Sequence, residues 1–334
     1  MMSRSKLVKT YLVLLIVLIL IFITSLSLGY THSSLMDIVD IFLGKSSSAM
    51  IFIITKIRLP RILACILGGA SLAIAGVLLQ TLTKNPLADS GILGINTGAG
   101  LVIAIMIGLL NVSDPTSIRL MPIFAMVGGF LTILLVYIMS QKRNRNISPA
   151  RLIITGVGVS TMLSGIMVSI ISNLNPNQTT YVVSWLSGKV SGGSWSSLAL
   201  FGPILIVIWI LAYSRSQSLN IMNLNEQTAL ALGLNLQCER IVTLLLATAL
   251  ASLSVVLIGN ITFVGLVAGH ITKRFVGGDH RTSIPAAMLV GMIILLTADT
   301  IGRVLLVGTG IPTGLVVSVL GAPYFLWLMS QVEK

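Results

Sequence analysis

Residues 61–82, RILACILGGASLAIAGVLLQTL, decide how the rest of the chain is read. Arg61 is their only charge, and the run is long enough for a helix to cross the roughly 30 Å hydrocarbon core of a bilayer. Gly68, Gly69, Ala70, Ser71, Ala73, Ala75 and Gly76 form a small-residue face within it. Such faces let helices pack closely in lipid.

Comparable runs lie near 11–29, 92–110, 120–140, 151–172, 197–213, 241–259, 261–276, 284–304 and 312–330. Those at 92–110 and 261–276 are weaker, because Gly, Asn or Thr interrupts them. Composition agrees: 55% of the 334 residues are hydrophobic and 9% charged, against about 25% charged in soluble domains, and mean hydropathy is +1.01. The expected fold is an all-α polytopic membrane protein of about ten transmembrane helices. The apolar stretch Tyr11–Leu28 reads as the first span, because no small-x-small cleavage site ends it.

The net charge of +12 does not imply nucleic acid. The basic residues sit at the ends of apolar runs, where they set membrane orientation. With both termini cytoplasmic, roughly two thirds of the 21 Lys and Arg fall inside, Lys142, Arg143 and Arg145 among them, as the positive-inside rule favours. The whole chain, 1–334, reads as one transmembrane domain. Its halves, about 1–172 and 197–334, flank a polar outer loop at 173–195. Five spans per half would give the halves inverted topology, a common transporter plan.

Three connections have character of their own. Leu35, Ile38, Val39 and Phe42 recur at helical spacing, so the segment 33–42 can lie along the interface. The segment 223–235 reads as a short cytoplasmic helix, opened by an Asn cap and an early Glu and stopped by Gly233. Lys273 to Arg281 is a Gly-rich, charged turn.

No enzyme constellation is present. His32, His270 and His280 are scattered, and Cys65 and Cys238 lack metal-ligand spacing and read as free thiols. Gly44-Lys45-Ser46 imitates the end of a phosphate loop, but Val39 stands where the first glycine should be. ATP, if used, belongs to another subunit, and this chain is expected to bind no cofactor. The one acid within a span is Asp299, with Arg303 four residues on, close enough to pair. Such an arginine can rest in that local pair or be presented to an acidic partner. Arg58-Leu59-Pro60-Arg61 opens a span on the outer side, against the positive-inside trend. It reads either as arginines snorkelling to headgroups or as a knob for acidic partner groups. Asn85-Pro86 and Leu93-Gly94-Ile95-Asn96-Thr97-Gly98 would break or cap helices. Non-helical backbone at depth is tolerated where it lines a cavity.

Together these pieces resemble the FecCD family of ABC-importer permeases, which includes ferric-siderophore, haem and vitamin B12 permeases. The resemblance runs from about residue 50 to 330. It rests on Arg58-Leu-Pro-Arg61, Gly68–Gln80, Lys84-Asn-Pro-Leu-Ala88, Phe263-Val-Gly-Leu266, Gly278-Asp-His-Arg281, Pro312-Thr-Gly314 and Gly321-Ala-Pro-Tyr-Phe325. It implies the type II ABC importer permease fold in the bacterial cytoplasmic membrane, with two permease subunits around a central pathway. Two ATP-binding subunits, holding ATP and magnesium, would lie beneath, and an extracytoplasmic binding protein would deliver the cargo. By motif, Arg58, Arg61 and Arg303 would dock that protein. Asn225, Glu226, Thr228, Ala229, Leu232 and Gly233 would belong to the coupling helix. Asn96, Thr97, Ser160 and Ser164 are the pathway candidates. The family usually has Pro where this chain has Gly269 and Ser90, a drift that favours a heterodimeric pair of permeases. A hydroxamate-type ferric siderophore is the preferred cargo, with haem or cobalamin as the alternatives. An ion-driven secondary carrier and a membrane anchor are the alternatives of other classes.

Overall fold

The small-residue stretch folds as α3, Leu59–Thr83, and every residue from Gly68 to Thr83 is buried. A helix apolar on all sides belongs in the middle of a bundle, and α3 packs against four or more neighbours. Pro60 sits in its first turn, where a missing N–H costs nothing. Before it, α2 (Ser48–Phe52) and a π-helical turn (Ile53–Arg58) extend the same rod. The rod ends at Lys84, whose φ of 50° is left-handed. A computed structural model describes residues 4–28, 40, 43, 45, 47–108, 115–141, 148–190, 193–304 and 311–332. Apart from Asp40 and Lys45, the amphipathic segment 33–42 and the Gly44-Lys45-Ser46 string lie outside the described residues, as do His32 and the basic cluster at 142–145.

The remaining helices are α1 (Arg4–Ser27), α4 (Ile95–Gly108), α5 (Pro115–Ser140), α6 (Pro149–Ile171), α7 (Pro176–Leu186) and α8 (Trp195–Ser214). They continue as α9 (Ser216–Met222), α10 (Glu226–Ala231), α11 (Leu236–Ile258), α12 (Val264–Val276), α13 (His280–Val304) and α14 (Thr313–Val332). α11, α12 and α13 surround α3, α4 packs on α5 and α6, and α1 and α14 lie against α13. Glycines set the closest approaches. A Cβ on Gly76 would overlap the Gly265 backbone of α12, and one on Gly69 would meet the Gly291 carbonyl of α13.

Among the described residues, eight helices are long and apolar enough to cross a membrane. The two weak runs fold as shorter helices, α4 with 14 residues and α12 with 13, about 20 Å long. Each comes after a long core helix and an irregular segment, 84–94 before α4 and 259–263 before α12. The stretch expected to be a polar loop at 173–195 contains α7. Asn175 and Gln178 close a reciprocal capping box at its start, and Val182 and Trp185 are buried.

Candidate functional site

The two irregular segments meet at the centre of the molecule. The backbone N–H of Phe263, itself left-handed at φ 68°, donates to Asp89 Oδ2 at 3.2 Å. Asn96 Nδ2 donates to the Ile261 carbonyl at 3.3 Å. A cavity of about 430 Å³ opens where they join, its polar lining made by Asp89, Asn96, Thr97, Asn260 and Thr262, with Phe263 beside them. Asn96 and Asn260 each keep a buried side-chain oxygen without a protein donor. Of the four sequence candidates, Asn96 and Thr97 line the cavity, and Ser160 stands behind Thr97, their hydroxyls 2.8 Å apart. Ser164, half-buried on α6, lies outside the lining.

At one end of the bundle, Asp299 is fully buried and gathers two arginines. Arg61 Nε and Arg61 Nη2 donate to Oδ1 at 2.9 and 2.7 Å, and Arg303 Nε donates to Oδ2 at 3.0 Å. The Thr313 hydroxyl, at the start of α14, donates to Oδ1 at 2.9 Å. Arg303 also reaches the hydroxyl and carbonyl of Ser25 and the carbonyl of Leu28. Arg58 Nη1 donates to the carbonyls of Leu26 and Ser27. The last carbonyls of a helix lack intrahelical partners, and here two guanidinium groups satisfy those of α1. The anticipated Asp299–Arg303 pair is therefore half of a junction that joins α1, α3, α13 and α14. Arg58 is only 5% exposed and does not project as a knob. Arg61 keeps the most exposure of the charged trio at Asp299, 27% of its side chain, against 12% for Arg303.

The other end carries α10, the predicted short helix. The Asn225 side chain caps it by accepting from Gln227 N at 2.9 Å. Gly233 closes it at φ 80°, in the region that favours glycine, while Leu234 N donates back to the Ala229 carbonyl. Glu226 pairs with the buried Arg240 of α11, and Ala229 is buried beneath. Leu224, Leu230 and Leu232 stand exposed, at 44%, 54% and 58%, and Thr228 lies on the same open surface. Nearby, Asp279 caps α13 by accepting from Thr282 and Ser283 at its carbonyl and from Arg281 N at Oδ1. Asn220's amide and the Arg281 N–H hold the Asp279 carboxyl below the usual carboxylate range. His280, one of the scattered histidines, is buried between Asn220 and Thr81.

Sequence reasoning passed over Asp89, because counting acids inside apolar runs excludes an acid in a turn. At 7% exposure it is buried all the same. Asn260, Thr262 and Phe263 were passed over as a span boundary, although Gly259-Asn260 between two apolar runs marks a break like that at Asn85-Pro86. Cys65 is buried, Cys238 exposed, and both are free thiols.

A model of the FecCD transport family matches residues 16–331. The iron(3+)-hydroxamate import system permease protein FhuG of Bacillus subtilis is 33% identical over 322 residues, 95% of each chain. The hemin transport system permease protein HmuU of Yersinia pestis is 33% identical over 327 residues, 96% of this chain and 95% of that one. Among solved structures, an ABC transporter assigned to the metal-chelate type, in an inward-facing conformation, superposes with a TM-score of 0.82 at 27% identity, covering 97% of this chain and 99% of that one. With the family model spanning nearly the whole sequence, this multi-pass membrane protein belongs to the FecCD transport family.

Proposed function

We propose that the chain is the membrane-spanning permease subunit of an ATP-driven importer that carries a ferric chelate, preferably of hydroxamate type, across the bacterial cytoplasmic membrane. The observation that carries this reading is α10. A six-residue helix, capped at both ends and fixed by Glu226 to Arg240, offers Leu230 and Leu232 to the surroundings, with nothing among the described residues to cover them. Short helices with exposed apolar side chains seat in grooves, and the fitting partner is an ATP-binding subunit. Both termini are then cytoplasmic, α10 faces inward, and the Asp299 junction faces out. The chain hydrolyses nothing itself, and ATP and magnesium belong to the partner.

Likeness to FhuG supports a hydroxamate chelate, and equal likeness to HmuU supports haem as the second reading. The pathway runs along the central cavity, where two broken helices meet, an arrangement that transporters use for their binding sites. Asn96 and Thr97 face it, with Ser160 fixing Thr97 and Ser164 further along α6. A second permease subunit supplies the opposite wall. The exposed Gly158, Thr161, Gly165 and Ser169 on α6 suit a neighbouring helix better than lipid. The departures at Ser90 and Gly269 favour a related chain over a second copy. The two halves are inverted equivalents, α3 and α4 matching α11 and α12.

Arg61 and Arg303 dock an acidic extracytoplasmic binding protein, and the buried Arg58 behind them adds its charge to the positive field. Two guanidinium groups on one carboxylate, with Arg58 close by on the α1 carbonyls, leave the junction net positive, and Arg61 is the more accessible of the two bound to Asp299. A secondary carrier is disfavoured, because Asp89 and Asp299 are already committed to backbone N–H and guanidinium groups. The direct test is Leu230→Ser with Leu232→Ser. The pair should leave the permease folded and lower recovery of the ATP-binding subunit on co-purification at least about tenfold, as loss of two buried leucines implies. Undiminished recovery would count against α10 as the coupling element.

A further inference from the structure

Two hydrogen-bonded struts run from the segment carrying α10 to the end of α3. The first passes through His280. Asn220 Oδ1 on α9 accepts from His280 N at 2.9 Å and from Nδ1 at 2.6 Å, and Nε2 lies 2.7 Å from Thr81 Oγ1 on α3. A neutral imidazole protonated at Nδ1 donates to Asn220 Oδ1, and Nε2 accepts from the Thr81 hydroxyl when that single proton turns from the Val77 carbonyl, 2.9 Å from Oγ1. Asn220 Nδ2 in turn donates to Asp279 Oδ1 at 2.7 Å, which fixes the amide. The second strut is Lys84, whose Nζ donates to the Leu224 carbonyl at 2.6 Å, two residues before α10 begins.

Both struts end on the last turn of α3 and its cap, and the turn beyond the cap is stiff. Asn85 N bonds back to the Gln80 carbonyl, Leu87 N to Asn85 Oδ1, and Ala88 N to the Asn85 carbonyl. This cross-bonded turn delivers Asp89 to Phe263 N at the cavity. α9 needs neither strut to stay attached, because Leu219 and Met222 are already buried in the core. Apolar contacts can slide, whereas hydrogen bonds are directional and fix register. Thr81 and His280 are each 2% exposed, so water does not compete for their bond.

We propose that Asn220–His280–Thr81 and Leu224–Lys84 are a two-strut linkage that transmits movement of α10 to the 84–94 turn and so to the cavity wall. The proposal rests on α10 meeting an ATP-binding subunit. His280, Thr81 and Lys84 are positioning residues, since none of them touches the cavity. Bonding through two points separates a push on α10 from a rotation of α9, and each strut contributes its own share to moving the turn.

The test uses the complete transporter in proteoliposomes, with ATP hydrolysis and uptake of radioactive iron measured together. The cargoes are a ferric trihydroxamate, ferric citrate and haemin. Thr81→Val and Lys84→Met should raise the ATP spent per chelate carried by about three- to tenfold each, the size of one lost hydrogen bond, with hydrolysis retained. Thr81→Ser, which keeps the hydroxyl, should restore the wild-type ratio. His280→Phe should add nothing to Thr81→Val, because the two lie on one strut, but should add to Lys84→Met. Hydrolysis and uptake falling by the same factor, or a Thr81→Val ratio equal to that of Thr81→Ser, would overturn the linkage while leaving the importer intact. A wild-type complex with no ATP-dependent uptake of any of the three cargoes would overturn the importer reading and the linkage with it.

Discussion

Asp299 shows how a charge is made tolerable at membrane depth. Its carboxylate accepts from two guanidinium groups and one hydroxyl, which satisfies the bonding capacity that burial would otherwise leave empty. Removing it should cost more than removing either arginine, because two guanidinium groups would then face each other. Asp299→Ala is expected to lose about 3–5 kcal/mol, seen as a lowered melting temperature of the purified permease. A melting temperature equal to that of the native protein would contradict the junction. At the same scale, neutralising Arg58 and Arg61 together, by Gln, should weaken binding-protein affinity at least about tenfold, whereas Lys replacements that keep the charge should weaken it less. Equal affinity in the neutral double variant would remove docking from their role. The i,i+4 spacing made Asp299–Arg303 visible in the sequence. Arg61 is 238 positions from Asp299, and nothing in local periodicity links two such distant residues. Only the packing of α3 on α13 does so.

The elements owe their form to small residues and to breaks. Glycines on α3 allow α12 and α13 to approach to backbone contact, so a single methyl is expected to be felt. Gly76→Ala should destabilise by about 1–3 kcal/mol, measured as reduced yield of folded permease after solubilisation. Gly158, where an added Cβ would meet none of the described residues of other elements within 4 Å, offers the contrast. Gly158→Leu should leave the isolated subunit as stable as before and reduce its pairing with a second permease. Intact pairing would argue against α6 as that interface. The long apolar runs were legible because a bilayer-length helix has no competing reading. The short helices α4 and α12 were legible only as weak signals, since Gly, Asn and Thr that break a span are the residues that build its irregular entry. α7 was missed because its length and amphipathic character suit a loop, although Asn175-Pro176 and Gln178 spell its capping box.

For the whole molecule, two differently built ends are joined by one buried helix. The arginine-rich junction holds α1 to the bundle at one end, the leucine-bearing α10 stands out at the other, and the cavity between them forms where two irregular segments touch. The end that carries α10 was readable from a motif contiguous in sequence, whereas the junction was readable only as two separate pieces, Arg58–Arg61 and Asp299–Arg303. The cavity was readable only in part, because its polar lining comes from two distant stretches, 89–97 and 260–262, and neither is a site alone. On the proposed reading labour is divided: this chain provides a path and a lever, and another subunit provides the energy. That claim is tested most directly by purifying the tagged chain from its host in mild detergent, identifying the co-purifying proteins by mass spectrometry, and assaying the preparation in liposomes with a ferric trihydroxamate. The account predicts an ATP-binding subunit in the complex and uptake that needs ATP. Active uptake by the chain alone, driven by an ion gradient and indifferent to ATP, would contradict it.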